Sequence, residues 1–355
     1  MSTHANGGAP EPPPAPGAVS GALPGPVSGA VEYAVVVPTI GRPCLDACLR
    51  ALAACSGPPP VEVVVVDDRP EPDGALRLPP DGVPGTRVLA TGGRGPAAAR
   101  NAGWRAVGAP WVVFLDDDVQ VLPDWADRLA ADLAKAGDST GGVQGRLTVP
   151  LPEDRRPTDW ERGTAGLERA AWATADMAYR ATVLKETGGF DERFPRAFRE
   201  DADLALRAMD AGWSLRRGER VTRHPVRPAD RWVSVRAQRG NADDALMGRL
   251  HGAHWWARAQ APRGRLPGHL AVTALACAAV LGVAAGRPRA AAAAGALWAC
   301  ATAEFAWKRI APGPRTRDEV TTMIATSAVI PPLAVWHRVA GGVRHRAPAP
   351  WGGAS

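Results

Sequence analysis

Three short apolar runs constrain what this chain can fold into: Ala34-Val35-Val36-Val37, Val61-Glu62-Val63-Val64-Val65-Val66 and Trp111-Val112-Val113-Phe114-Leu115. Each reads as a near-continuous block, the pattern of a strand covered on both faces. Between them Leu45, Cys48, Leu49 and Leu52 recur at helical spacing, Arg87-Val88-Leu89 makes a short third strand, and Pro96 opens a helix through Ala106. Strands alternating with helices predict an α/β fold, a mostly parallel sheet with helices on both faces. Ligands bind such sheets at the carboxyl ends of the strands. The acids fall there: Asp67 and Asp68 after the second run, and Asp116, Asp117 and Asp118 after the one ending at Leu115. Clustered carboxylates repel one another and resist desolvation, so they persist where a cation neutralises them. A hard divalent ion, Mg²⁺ or Mn²⁺, arriving with a phosphorylated substrate meets that need. A solvated acidic turn is the competing reading.

Further on, Pro123 precedes a helix through Trp125, Leu129 and Leu133, and residues 142–149 read as another strand. A long connection passes Trp160 and Trp172. Helices are expected over 178–187 and 200–211 about the turn Gly188-Gly189-Phe190, and 214–224 reads as a strand pair or an extended return. Glu200-Asp201-Ala202-Asp203 opens the second helix. Acids in a first turn suit the macrodipole, and a carboxylate there also suits a general base.

Composition excludes several classes. The formal charge is +6, yet no run of five basic residues and no aromatic-basic alternation occurs, so no nucleic-acid partner is expected. The odd count of five cysteines argues for a reducing cytoplasm. Cys44 and Cys48 share a helical face as small hydrophobes and not as zinc ligands. Residues 1–30 hold no Lys or Arg and no long apolar stretch, so they read as a disordered Pro/Gly/Ala-rich tail without a signal peptide. Gly92-Gly93-Arg94-Gly95 lacks dinucleotide-binding spacing, and neither a Walker loop nor a nucleophile elbow is present.

Seven segments in order then carry a family resemblance: Val37-Pro38-Thr39-Ile40-Gly41-Arg42, Val65-Val66-Asp67-Asp68, Ala99-Arg100-Asn101-Ala102-Gly103, Phe114-Leu115-Asp116-Asp117-Asp118, Ala175-Asp176-Met177-Ala178-Tyr179-Arg180, Gly188-Gly189-Phe190-Asp191-Glu192 and Glu200-Asp201. Together, over roughly 32–255, they resemble a bacterial family 2 glycosyltransferase of the GT-A fold. The resemblance implies a Rossmann-like nucleotide-binding sheet and an inverting, metal-dependent transfer of one sugar from a UDP-, GDP- or dTDP-sugar to an acceptor hydroxyl. It implies Asp201 as catalytic base. Pro38, Thr39, Asp67, Asp68, Arg100, Asp116 and Asp117 would bind the nucleotide-sugar. Asp116 to Asp118 would form the family's D-x-D element, with Asp118 as direct metal ligand beside Asp116 and His224, for Mn²⁺ or Mg²⁺. Asp176 and Glu200 would lie on the acceptor side. Arg94 and Arg239 are further candidates for diphosphate contacts. The Gln-x-x-Arg-Trp element of processive synthases has no match in Gln238-Arg239-Gly240-Asn241, which favours single addition. A catalytically degenerate GT-A binding or scaffold module is the alternative. A sugar-nucleotide pyrophosphorylase is further off, since its glycine-rich entry loop is missing after the first strand.

The domain plan is therefore a tail over 1–30, a GT-A domain over 31–260, a hydrophobic helical region over 261–340 and a tail over 341–355. Residues 269–286 and 290–307 are apolar and Ala-rich, each near the minimum for spanning a bilayer. Arg263 and Arg265 precede the pair, and Lys308, Arg309, Arg315 and Arg317 follow it, with Arg287 and Arg289 between. That bias suits a membrane hairpin with both outer ends cytoplasmic, which would put the enzyme on the cytoplasmic face of the membrane. A buried hairpin in a soluble cytoplasmic protein is the rival. Residues 320–336, with Pro331-Pro332, read as interfacial or packed on the protein.

Overall fold

The computed structural model describes residues 31–347 and 351. The tail expected over 1–30 lies outside them, as do 348–350 and 352–355. The chain opens with β1 (Tyr33–Thr39), α1 (Cys44–Ala53), β2 (Glu62–Asp67), β3 (Arg87–Ala90), α2 (Pro96–Arg105) and β4 (Trp111–Leu115). It continues through β5 (Gln120–Val121), α3 (Trp125–Ala134), β6 (Thr140–Thr148), α4 (Asp159–Ala165), β7 (Asp176–Arg180), α5 (Ala181–Thr187), α6 (Glu200–Asp210) and β8 (Ser214–Arg223). Six helices close it: α7 (Val233–Arg236), α8 (Gly240–His251), α9 (Trp255–Arg258), α10 (Leu266–Ala284), α11 (Pro288–Ile310) and α12 (Arg317–Arg344).

The strands form one sheet in the order β3-β2-β1-β4-β7-β6-β8-β5. From β3 to β4 every pairing is parallel, and β6 with β8 is too. β7 runs antiparallel to both β4 and β6, and β5 antiparallel to β8, so the sheet is mixed. Alternate residues of each central strand feed opposite cores. Val35, Val37, Val63, Val65, Val113 and Leu115 pack under α1 and α3 with Leu45, Leu49, Trp125 and Leu129. Val36, Val64, Val66, Val112 and Phe114 face Trp104, Phe190 and Leu204 on the α2, α5 and α6 side. Helix α2 comes close enough that a Cβ on Gly103 would stand 2.3 Å from Val36 Cγ1. Only glycine permits that approach.

Several expectations are corrected. Residues 178–180 extend instead of coiling, because Asp176–Arg180 fills the slot between β4 and β6. Its alternating burial partners there outweigh local helix preference. Strand β1 runs two residues beyond the apolar run, through Pro38 to Thr39, which pairs with Asp67. The ladder to β4 has already ended at Val36, so the missing N–H of Pro38 is tolerated. Residues 214–223 make one bulged strand. The connection past Trp160 contains a helix, started by a capping box in which Thr158 and Glu161 satisfy each other's backbone N–H. At the other end α12 runs through Arg344, four residues into the expected tail.

Candidate functional site

The carboxyl ends of β1, β2 and β4 open onto one cleft of about 510 Å³. Pro38 and Thr39 come from β1, Asp68 from just past β2, Arg100 from α2, and Asp116, Asp117 and Asp118 from the turn after β4. His224, one residue past β8, reaches the same cleft. Eight of the anticipated residues thus converge.

Each acid is held differently. Asp68 accepts from Thr91 Oγ1 at 2.7 Å and from the backbone N–H groups of Arg94 and Gly95, both at 2.8 Å. Gly95 sits at φ 97°, a conformation glycine tolerates, which lets its N–H aim at the carboxylate. Asp117 spends both oxygens on the protein, one on Thr39 Oγ1 at 2.6 Å and one on Arg42 at 2.8 Å. Asp116 Oδ1 accepts from Arg100 at 2.8 Å, and Asp118 Oδ2 pairs with Arg227 at 2.9 Å. Burial pushes the Asp118 carboxyl up, and Asp116 beside it pushes the same way. Asp116, Asp118 and His224 each offer a donor atom within 4.8 Å of the others. His224 Nε2 stands 3.7 Å from Asp118 Oδ1, while its Nδ1 is buried without a partner. Two carboxylates and an imidazole form a donor set that Mn²⁺ accepts and Mg²⁺ tolerates. The residues present fit such an ion.

Arg100 is the hinge of the site. Its guanidinium is buried, bridging Asp116 and, at 2.8 Å, Glu200 at the start of α6, with Phe190 beneath it at 5.6 Å. The two acidic segments, far apart in the chain, therefore share one cation. Burial pushes the Glu200 carboxyl up against the pull of Arg100. Asp201, the next residue, is partly buried, and its Oδ1 accepts from the Ala202 N–H at 2.7 Å. Burial raises its pKa as well, opposed first by that hydrogen bond and then by Arg100 and Arg199. It does not line the cleft, whose wall on this side is Ala197 and Phe198.

Like Asp201 and Glu200, two further anticipated acids do not line the cleft. Asp176 is sealed beneath the sheet, accepting from Trp125 Nε1 at 2.8 Å, Arg220 Nε at 2.8 Å and Thr222 Oγ1 at 2.6 Å. A carboxylate so surrounded is a structural anchor and cannot meet an acceptor. Asp67 turns to Arg69, which grips both its oxygens and holds its pKa below the usual carboxylate range. Arg94 is engaged by Glu192, and neither it nor Arg239 lines the cleft. Arg42, Arg227, Trp160 and Phe198 do, and the sequence did not single them out. Only Arg42 carried a signal, as the last residue of the first shared segment.

Comparison with known proteins agrees with this geometry. Residues 34–199 match the model for glycosyl transferase family 2, and the mixed sheet with helices on both sides is a GT-A fold. Two strains of Mycobacterium tuberculosis carry a curated relative, pre-mycofactocin glycosyltransferase, 30% identical over 137 residues. That alignment takes in 35% of this chain and 28% of the relative, so it spans under a third of the relative's length. Among solved structures, the mannosyltransferase PcManGT from Pyrobaculum calidifontis, in complex with GDP-Man and Mn²⁺, superposes with a TM-score of 0.52 at 18% identity, covering 88% of each chain. At that identity the likeness speaks to the fold.

Proposed function

We propose that this chain transfers a single sugar from a nucleoside-diphosphate donor to an acceptor hydroxyl, inverting the anomeric centre. The observation that carries the reading is the convergence of Asp68, Asp116, Asp118 and His224 at the strand ends of a family 2 domain. The relatives' descriptions, a glycosyltransferase and a mannosyltransferase solved with GDP-Man and Mn²⁺, support a nucleotide-sugar and a divalent ion here. Asp68, rigidly held by three donors, would accept from the base. Asp116, Asp118 and His224 would hold the ion beside the diphosphate. When bound, the ion supplies Lewis-acid stabilisation of charge developing on the departing diphosphate. Asp201 would take the proton as the acceptor oxygen attacks from the opposite face. One base and direct attack imply inversion. Asp117 serves as a clamp, fixing Thr39 and Arg42 at the rim.

The test is release of nucleoside diphosphate from UDP-, GDP- and dTDP-sugars by the full chain with Mn²⁺. A degenerate binding module would release none with any of them. For the ion, Asp118→Asn is expected to weaken Mn²⁺-dependent nucleoside-diphosphate binding by roughly tenfold or more. Calorimetry with and without Mn²⁺ reads this, and equal affinities for variant and wild type would remove Asp118 from the metal site.

We also propose that the C-terminal helices hold the enzyme on the cytoplasmic face of a membrane. By length and composition α10 and α12 could each cross a bilayer. Arm α11 of the anticipated hairpin falls short, weakened by alanine and by Glu304. Helix α10 is apolar on all sides, and Val280, Leu281 and Val283 near its end are 69%, 66% and 71% exposed. Its 19 residues extend about 28 Å, close to the hydrocarbon thickness of a bilayer. Helix α12 instead buries Met323, Ser327 and Ile330 and lays Gly341 against Ala242 of α8. Leu281→Lys with Val283→Lys is therefore expected to move the protein from the carbonate-washed membrane pellet to the supernatant. Retention of this variant in the pellet would count against insertion of the hairpin.

A further inference from the structure

A second basin, of about 560 Å³, adjoins the cleft, and Phe198 lines both. It lies where α10 and α11 leave the catalytic domain. Its floor is set by Arg309, a buried guanidinium that ties the end of α11 to Asp159 at 2.8 Å, Ser234 at 3.0 Å and Thr326 at 2.8 Å. The basin's acids are thereby spent: Asp159 is paired with Arg309, and Asp244 with Arg199 at 2.8 Å. Two of its cations are not. Arg263 and Arg265 meet only aromatic faces, Trp256 at 5.7 Å and Phe305 at 6.0 Å, with no carboxylate partner among the described residues. Arg265 is also the N-cap of α10, a 19-residue helix whose first turn has no side-chain cap and carries Pro267. The positive end of that helix, without a side-chain cap, follows directly on Arg265, which lines the basin.

We propose that this basin binds the phosphate of a lipid acceptor. The amphiphile's phosphate or diphosphate would rest on Arg263, Arg265 and the start of α10. Its apolar chain would run along the exposed α10–α11 hairpin, and its hydroxyl-bearing head would pass Phe198 toward Asp201. Three features meet in one place: unpaired cations, an apolar surface that begins where they end, and an aromatic shared with the transfer cleft. A soluble glycan would use neither the cations nor the hairpin. This rests on the glycosyl-transfer reading and narrows its acceptor to a phosphorylated amphiphile. In the transfer step the bond from the sugar's anomeric carbon to the donor diphosphate breaks and one to the acceptor oxygen forms. The hydroxyl proton goes to Asp201, and the lipid phosphate is unchanged.

The experiment uses the full chain in neutral detergent micelles, titrated calorimetrically with monododecyl phosphate, dodecanol and inorganic phosphate. Monododecyl phosphate is expected to bind about tenfold tighter than either of the others, and Arg263→Gln with Arg265→Gln to remove that advantage. Binding of a nucleoside diphosphate with Mn²⁺ should be the same in both proteins. The proposal is overturned if the double variant binds monododecyl phosphate as wild type does. It is overturned equally if inorganic phosphate alone binds as well, which would make the ligand a free anion. If wild type binds monododecyl phosphate but no nucleoside diphosphate, the transfer reading fails, and the basin's role as an acceptor site fails with it.

Discussion

Arg100→Met is expected to lower the melting temperature sharply. The substitution keeps an unbranched apolar stem and removes the one cation shared by Asp116 and Glu200. Glu200 would remain buried beside Asp201 with nothing to offset its charge, and breaking a buried pair from one side costs about 3–5 kcal/mol. For a domain of this size that is roughly 6–20 °C. The deficit should shrink toward acid pH. Burial already raises the Glu200 pKa, and losing Arg100 removes the main opposing pull. A carboxyl whose folded pKa lies above its unfolded value, about 4.3, stabilises the fold when protonated. That contribution is full below the unfolded value and is lost as pH rises through the folded one. Adding Glu200→Gln should recover much of the melting temperature, since neither partner then carries an unpaired charge. Donor binding should not recover, because Asp116 would still lack the guanidinium that aims it. A single Arg100→Met variant with wild-type melting between pH 5 and 8 would contradict the bridging role.

How far the sequence was legible follows from which contacts are local. The three valine-rich runs declared both their extended conformation and their double burial, and β1, β2 and β4 stand where the pattern put them. Asp68 and Asp116 to Asp118 line one cleft because the carboxyl ends of parallel strands lie on one edge of a sheet. Strand β7 was not legible. Asp176-Met177-Ala178-Tyr179-Arg180 is extended only because β4 and β6 flank it, and neither neighbour is close in sequence. Asp176 was misjudged for the same reason. Its exposure depends on Trp125, Arg220 and Thr222, which arrive from three other elements. Arg227 reaches Asp118 from a loop without periodicity. Asp67 and Asp68 look equivalent in the chain, but the pleat sends neighbouring side chains to opposite faces, one to Arg69 and one to the cleft.

Asp201→Asn should leave a folded protein that binds donor and does not transfer sugar. The carboxylate accepts one hydrogen bond, from the Ala202 N–H, which an asparagine oxygen can accept equally, so melting should change little. What asparagine lacks is a site for the acceptor's proton. Losing a positioned base lowers turnover by about 10²–10⁴-fold. Affinity for nucleoside diphosphate with Mn²⁺ should change little, because Asp201 does not line the cleft. In the wild type, burial raises the Asp201 pKa, so the acid limb of the rate profile should lie above the ordinary aspartate value of about 3.9. Glu200→Gln separates this role from that of the neighbouring carboxylate. Glu200 is committed to Arg100 and nearly inaccessible, so its loss should act through stability and the setting of Arg100, with a smaller effect on turnover. The reverse order, with Asp201→Asn active and Glu200→Gln dead at equal stability, would hand the proton to Glu200. It would also require the Arg100 pair to open during turnover.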